Sequence, residues 1–399
     1  MLRFTLAALL ALSAGPAVAA PPPPVTILVS IDGFRADYLD RGLAPRLSAL
    51  AAGGVKASMT VSFPSLTFPN HYATVTGLRP DKNGIVGNTM EDPRKPGVVF
   101  TLSNNDPFWW SEAEPIWITA ERQGVRTATM FWPGSNVLLG ETRPRDWWPY
   151  AKEVSERQRV DAVIDWLRRP ASLRPQLITL YFDTVDTAGH KFGPDARETN
   201  DAIAAVDGEL GRLVDGAAAL GQPVNLVITA DHGMAETAPA RVILLDRSAN
   251  AKDFRVVTAG PYAGIEPVGA KRIKRLEAAL LKPHSNMSCY RKSELPPALH
   301  YGRNPRVPSY LCIAKTGWIV LGTKPEPGKD HYAKGAHGYD PADPLMRAVF
   351  IASGPAFRSG TVLPPFDNVD VYPLVARLAG VTPQPSDGTL APLLPALRP

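Results

Sequence analysis

Cysteine is scarce in this 399-residue chain, which holds only Cys289 and Cys312. In an oxidising compartment the two most simply form one disulfide, and a pair of buried free thiols is the alternative. No cysteine or serine stands in a C/S-x-P-x-R setting, so sulfatase chemistry lacks its formylglycine precursor. Past an N-terminal run that ends at Leu12, nothing supplies the roughly 20 consecutive apolar residues of a membrane span. There is no long Lys/Arg block or basic stripe, and a formal net charge of +5 is weak support for nucleic-acid binding, so no duplex partner is expected. The G-x-x-x-x-G-K-[ST], G-x-G-x-x-G and H-E-x-x-H patterns are missing too, which removes the main support for P-loop, dinucleotide-binding and zincin readings. No solenoid-period repeat occurs.

The residues present describe an exported globular protein. Met1, Leu2 and Arg3, an apolar run through Leu12 and the small residues Ala17 to Ala20 follow the order of a secretory signal peptide over residues 1–20. The mature chain, 21–399, is then secreted or periplasmic without a stable membrane anchor. Its 45% hydrophobic content is ample for a core. After the stiff spacer Pro21 to Pro24, strand-like runs at Val25 to Ile31, Thr127 to Trp132, Leu177 to Phe182, Asn225 to Ala230 and Ala348 to Ser353 alternate with helical patterns. The helices are expected at Leu43 to Ala52, Glu114 to Gln123, Ser155 to Arg168, Glu198 to Gly216 and Val369 to Leu378. Such alternation predicts an α/β fold with a doubly wound, mostly parallel sheet. The stretch 235–329 breaks the rhythm with prolines and both cysteines, and reads as an irregular cap inserted into a single domain.

Three strands end in an aspartate: Asp32, Asp186 with His190 four residues on, and Asp231 with His232. Functional groups in doubly wound sheets collect outside the carboxyl ends of the strands. His337, in the loop before Ala348 to Ser353, completes three carboxylates and three imidazoles, a ligand set for two divalent ions. Any of these groups alone could be a cap, a turn former or a surface pair; together they point to a metal centre. Mixed imidazole and carboxylate ligation suits Zn2+ better than magnesium or calcium. Two divalent cations exceed the charge of three carboxylates, so the cage attracts an anion, and paired metals about 3.5 to 4 Å apart are the usual clamp for displacement at phosphorus. The segment Phe63 to His71 is the candidate carrier of a nucleophile, Thr67, whose alternative role is to cap the next helix.

Thr67-Phe68-Pro69-Asn70-His71-Tyr72, Thr76-Gly77-Leu78-Arg79-Pro80, Asn83-Gly84-Ile85 with Asn88, Phe131-Trp132-Pro133-Gly134-Ser135, Asp186 with Gly189-His190, Asp231-His232-Gly233-Met234 and His337-Gly338-Tyr339-Asp340 occur in that order. Together they closely resemble the secreted nucleotide pyrophosphatase/phosphodiesterases of the alkaline phosphatase superfamily, bacterial members especially. The resemblance runs from Val25 to Asp387-Gly388-Thr389. It implies one zinc ion held by Asp32, Asp231 and His232 with the Thr67 oxygen, and a second held by Asp186, His190 and His337. It also implies a covalent phosphothreonine-type intermediate and an Asn88 amide donating to a phosphoryl oxygen.

By the same resemblance, Phe68 and Tyr150 match positions that stack a nucleotide base, and the expected products are nucleoside 5′-monophosphates from small-molecule nucleotides. Two departures, Asn83 where the family often has His and Thr184-Val185 where it has Glu-Pro, leave the pocket rim open but remove no ligand. The competing readings are a phospholipid or choline phosphodiesterase on the same scaffold, a phosphomonoesterase, and a secreted binding protein without turnover.

Overall fold

The computed structural model describes residues 22–325 and 333–399. The expected signal peptide at 1–20 and residues 326–329 of the 235–329 stretch lie outside the described residues. A nine-stranded sheet is built from β1 (Val25–Ile31), β2 (Val55–Thr60), β3 (Thr127–Met130), β4 (Asp146–Trp148), β5 (Leu177–Phe182), β6 (Val224–Thr229), β7 (Ala348–Ser353), β8 (Thr361–Val362) and β9 (Phe366–Asp367). The order is β8-β2-β7-β6-β1-β5-β3-β4, with β9 also on β2. Only β7 runs against its neighbours; every other pairing is parallel. The mostly parallel α/β sheet expected from the apolar runs is therefore present, and each residue of β1 and β5 is buried, as strands covered on both faces require.

Register matters most for function. Ser30 on β1 lies opposite Tyr181 on β5 and Thr229 on β6. The carboxyl ends of these three central strands are thus level, and the residues that follow them emerge at one edge of the sheet.

Helices pack in two groups. One contains α1 (Pro45–Gly53), α4 (Glu156–Arg168), α5 (Thr184–Phe192) and α6 (Arg197–Ala219); the other contains α2 (Thr67–Thr76), α3 (Ile116–Arg122) and α7 (Val371–Ala379). Local chemistry explains their limits. Ser155 starts α4 with a reciprocal capping box to Gln158. In α6 the buried Ile203, Val206, Leu210, Leu213 and Ala217 recur every three or four residues, the stripe that docks a helix on a core.

Between β6 and β7 the chain forms a four-stranded antiparallel sheet, ordered Phe254–Thr258, Tyr262–Pro267, Tyr310–Ala314, Met287–Arg291. Cys289 and Cys312 face each other in its register and are joined by a disulfide. A parallel ribbon, Val242–Leu244 with Ile319–Leu321, and a short pair, Ala235–Glu236 with Gly335–Ala336, carry the chain back to the strand ends.

The fully buried Arg306 ties this region to the body. Its guanidinium donates to Asp92 Oδ2 at 2.7 Å, to the Gly84 and Trp109 carbonyls at 2.7 and 2.8 Å, and to the Phe108 carbonyl at 3.1 Å. Asp92 would keep its bidentate pair with Arg94, so the cost of truncating Arg306 falls on the Gly84, Phe108 and Trp109 carbonyls that lose their donor. Arg306→Met should lower unfolding free energy by about 1 to 3 kcal/mol in a denaturant titration. A loss under about 1 kcal/mol would show that Arg306 does not tie the two regions together.

Candidate active site

Each acidic candidate sits where the backbone has just left a central strand. Asp32 follows β1, Asp231 follows β6 after Ala230, and β5 leads into α5, where Asp186 and His190 lie one turn apart. Gly33 makes the close approach possible: its φ is +68°, its N–H donates to Asp231 Oδ1 at 3.2 Å, and a Cβ there would stand 3.0 Å from the Asp186 Cα. Behind Asp231 and His232, a Cβ on Gly233 would meet the Leu345 carbonyl oxygen at 2.0 Å, so the loop can pass only with glycine. The pairing of Ala235–Glu236 with Gly335–Ala336 then delivers His337 to the same place.

The structure brings all six candidate ligands together. One ligand atom each from Asp186, His190 and His337 lies within 4.8 Å of the others, and the same holds for Asp32, Asp186 and His232. His232 Nε2 is 2.9 Å from Asp231 Oδ2 and 3.3 Å from Asp32 Oδ1. His190 Nε2 is 3.0 Å from His337 Nε2, and Asp186 Oδ1 is 3.4 and 3.5 Å from those two atoms.

Backbone carbonyls set the tautomers. The Nδ1–H of His190 donates to Gly335 O at 2.8 Å, that of His232 to Gly233 O at 2.9 Å, and that of His337 to Ser65 O at 2.9 Å. Every Nε2 lone pair is thereby left facing the cluster, the arrangement that second-shell bonds impose on metal-binding imidazoles. Asp32 Oδ1, Asp186 Oδ1 and Asp231 Oδ2 are buried without any hydrogen-bond partner. Buried carboxylate oxygens are costly unless a charge faces them. Converging unpaired oxygens and imidazole lone pairs fit divalent cations of the borderline, nitrogen-accepting kind.

Titration behaviour reflects the same crowding. Burial, then the Asp231 and Asp186 charges, drives the Asp32 carboxyl well above the ordinary range, and burial likewise raises Asp186. Burial opposes ionisation of Asp231 as well, but His232 and His71 outweigh it and hold that carboxyl well below its usual value. Burial and the adjacent imidazoles keep His337 neutral, the form that binds a metal.

Thr67 is the first residue of α2, and its Oγ1 lies 3.3 Å from His232 Nε2. It does not cap the helix: Leu66 holds that position without a side-chain bond, so the Thr67 hydroxyl is left to the cluster. Asn88 accepts the Phe68 N–H through Oδ1 at 3.0 Å, which fixes the amide and leaves its NH2 for another acceptor. Phe68 and Tyr150 are not in ring contact with each other. Phe68 packs on Phe100 and Trp110, whereas Tyr150 is 52% exposed and packs on Phe131 and Tyr181.

Supporting residues are harder to see in the sequence. The buried Tyr181 donates to Asp32 Oδ2 at 2.6 Å, yet reads as one more apolar residue of β5. His71 lies 3.3 Å from Asp231 Oδ2, but its Nδ1–H donates to Thr67 O at 2.9 Å and its Nε2 bonds Ser30 Oγ at 2.8 Å. With both nitrogens engaged, His71 braces the Thr67 turn and is unsuited to ligate a metal. Tyr150 donates to Asp183 Oδ2 at 2.9 Å, and Asp183 in turn accepts Arg159 at 2.7 Å.

A sheet of this topology, with carboxylates and imidazoles able to hold metal at its carboxyl edge and a helix-terminal hydroxyl beside them, defines an alkaline phosphatase-like hydrolase scaffold. Residues 26–340 match the family described as type I phosphodiesterase / nucleotide pyrophosphatase. The chain belongs to this metal-dependent family and is an enzyme, a phosphoric diester hydrolase. It is 38% identical over 389 residues to an uncharacterized pyrophosphatase/phosphodiesterase of Schizosaccharomyces pombe, covering 93% of this chain and 80% of the relative. It is 37% identical over 372 residues to the bis(5′-adenosyl)-triphosphatase of Xenopus laevis, covering 92% and 80%. Among solved structures, an inactive threonine-to-alanine variant of murine ectonucleotide pyrophosphatase/phosphodiesterase 5 in complex with AMP superposes with a TM-score of 0.89 at 34% identity, covering 94% of this chain and 100% of that one.

Two outcomes are expected of the cluster. Tyr181→Phe should weaken divalent-metal affinity by about 10- to 100-fold in a chelator competition, through loss of the Asp32 bond. Because the Asp32 and Asp186 carboxyls are raised, the folded metal-free protein favours their protonated forms, and the associated stability is lost as pH rises through the raised values. Metal replaces those protons, so the gain in Tm on adding zinc should be larger at pH 7.5 than at pH 5. An equal gain at both values would mean that metal does not displace protons from these carboxyls.

Proposed function

We propose that this protein hydrolyses nucleotide phosphodiester and pyrophosphate bonds and releases nucleoside 5′-monophosphates, with Thr67 as nucleophile. The observation that carries the reading is the Thr67 hydroxyl, freed from capping and 3.3 Å from His232 Nε2, beside three unpaired carboxylate oxygens. The murine relative, inactive as a threonine-to-alanine variant and bound to AMP, supports both the residue type and the nucleotide. The name of the Xenopus relative supports a dinucleotide polyphosphate among the substrates.

In this reading two zinc ions, one at Asp32, Asp231, His232 and Thr67 and one at Asp186, His190 and His337, supply Lewis acidity and the positive charge that binds a phosphate. The residues themselves position and protect. α2 presents Thr67 at its amino end; Phe68 and Asn70 donate to Asn88 and Leu66 and Pro69 has no N–H, so the Thr67 N–H is the first-turn donor left for an anion, which the helix dipole favours there. Thr67 Oγ attacks phosphorus, the leaving oxygen departs, and water then cleaves the phosphothreonine to restore the hydroxyl. The Asn88 NH2, held by the Phe68 N–H, donates to a phosphoryl oxygen. Phe68 and Tyr150 receive the base, Tyr150 being held through Asp183 and Arg159.

Export completes the proposal. No helix among the described residues is long and apolar enough to cross a membrane, and the Cys289–Cys312 disulfide suits an oxidising compartment. We take 21–399 as one catalytic domain with 235–329 inserted as a cap.

Thr67→Ala should lower kcat on a nucleotide diester by about a thousandfold or more while zinc content stays near wild type. Retention of wild-type rates would remove Thr67 from the chemistry. Base stacking worth roughly 1 to 3 kcal/mol should make Phe68→Ala or Tyr150→Ala lose about 5- to 150-fold in kcat/KM on a nucleotide ester. Bis-p-nitrophenyl phosphate, which has no base, should be little affected, and equal losses on both substrates would refute stacking.

A further inference from the structure

Tyr150 lies past the end of β4, in no helix or strand, and is 52% exposed. Among the described residues, no backbone hydrogen bond holds it. A ring carried by such a stretch must be fixed through its side chain, or a ligand that stacks on it bears the cost of ordering it. Three side chains supply that support. The Tyr150 hydroxyl donates to Asp183 Oδ2 at 2.9 Å, and the ring meets Phe131 edge-on with centroids 5.4 Å apart. Arg159, whose side chain is buried, holds both of these: Nη1 donates to Asp183 Oδ1 at 2.7 Å, and the guanidinium carbon lies 4.9 Å from the centre of the Phe131 ring.

Phe131 is held in an uncommon conformation. It is buried directly after β3 with φ at +56°, a left-handed setting that a bulky side chain keeps only where its surroundings enforce it. The strain falls where the ring contacts both the Arg159 guanidinium and Tyr150. Asp183 follows β5 directly and stands three residues before Asp186, so the turn that carries a candidate metal ligand also anchors the Tyr150 ring. Burial and the Asp183 bond push the Tyr150 phenol up to about 12, so it keeps its proton and donates throughout the neutral range. We propose that Asp183 is a positioning residue for nucleoside selectivity: by holding the Tyr150 hydroxyl it sets the ring relative to the metal ligands, and so favours phosphodiesters that carry a base over those that carry none. This role rests on the phosphodiesterase reading above, in which Tyr150 receives the base. Asp183 needs no contact with substrate for it, because it acts through Tyr150.

The test uses the zinc-loaded protein and two substrates with the same leaving group: the 4-nitrophenyl ester of thymidine 5′-monophosphate, and ethyl 4-nitrophenyl phosphate, which has no base. Tyr150→Phe removes only the hydroxyl. Asp183→Ala removes its acceptor; the Asp183 side chain does not cap α5, and Arg159 keeps its bonds to the Val154 and Tyr181 carbonyls, each at 3.0 Å. Each variant should lower the ratio of kcat/KM for the nucleotide ester to that for the ethyl ester about fivefold, mainly through a higher KM on the nucleotide. The double variant should fall no further than either single one, because both changes break the same bond. Thermal melts report that each variant is folded. A ratio unmoved in either folded single variant, or losses that multiply in the double one, would overturn the positioning role and leave the phosphodiesterase reading intact. Failure of the wild-type protein to hydrolyse either ester would overturn both.

Discussion

Three carboxylates and three imidazoles converge so that one oxygen of each carboxylate is left without a protein donor. Asp32 Oδ1, Asp186 Oδ1 and Asp231 Oδ2 have no hydrogen-bond partner, and the Nε2 atoms of His190 and His337 face each other at 3.0 Å. Isolated charges of one sign are not tolerated in an interior without a counter-charge. The rest of the molecule is arranged around that demand. Level strand ends bring the acids together, Gly33 and Gly233 let the loops pass, and carbonyls of Ser65, Gly233 and Gly335 turn each imidazole so that its free nitrogen points inward.

The scaffold separates jobs that would conflict in one element. Rigid parallel strands supply the acids, whereas the Thr67 hydroxyl comes from a helix start that Leu66 rather than Thr67 caps. Phe68 and Tyr150 hang from different supports, one on an aromatic cluster and one on an ion pair. The region between β6 and β7 contributes His337 by way of a two-residue strand pair. The Arg306–Asp92 bond attaches that region to the body of the protein.

Much of this arrangement is legible in the order of the amino acids, for a physical reason. Strands buried on both faces are written as continuous apolar runs, so β1, β5, β6 and β7 announce themselves, and the polar residues just beyond them stand out as Asp32, Asp186 and Asp231. β2 escapes because Val55–Thr60 alternates buried and half-buried residues, placing Lys56, Ser58 and Thr60 in a strand that contains no apolar run. The four-stranded antiparallel sheet escapes likewise, its strands being short and its pairing dependent on distant segments. Tyr181, His71 and Asp183 are invisible as site residues because their contribution is contact geometry: an aromatic in an apolar strand, a histidine with two local partners and an acid at a helix start look the same whether or not they brace a neighbour. The cap of α4, by contrast, is readable from Ser155 onward, since its partners are local in sequence.

The unpaired carboxylate oxygens and imidazole lone pairs of the cluster predict bound cations in the resting enzyme. Elemental analysis of the purified protein after dialysis against metal-free buffer at neutral pH measures this directly. Two equivalents of divalent metal per chain are predicted, with a drop below one when Asp186, which reaches both ligand groups, becomes alanine. A wild-type protein that retains no metal yet hydrolyses a nucleotide diester at full rate would contradict it.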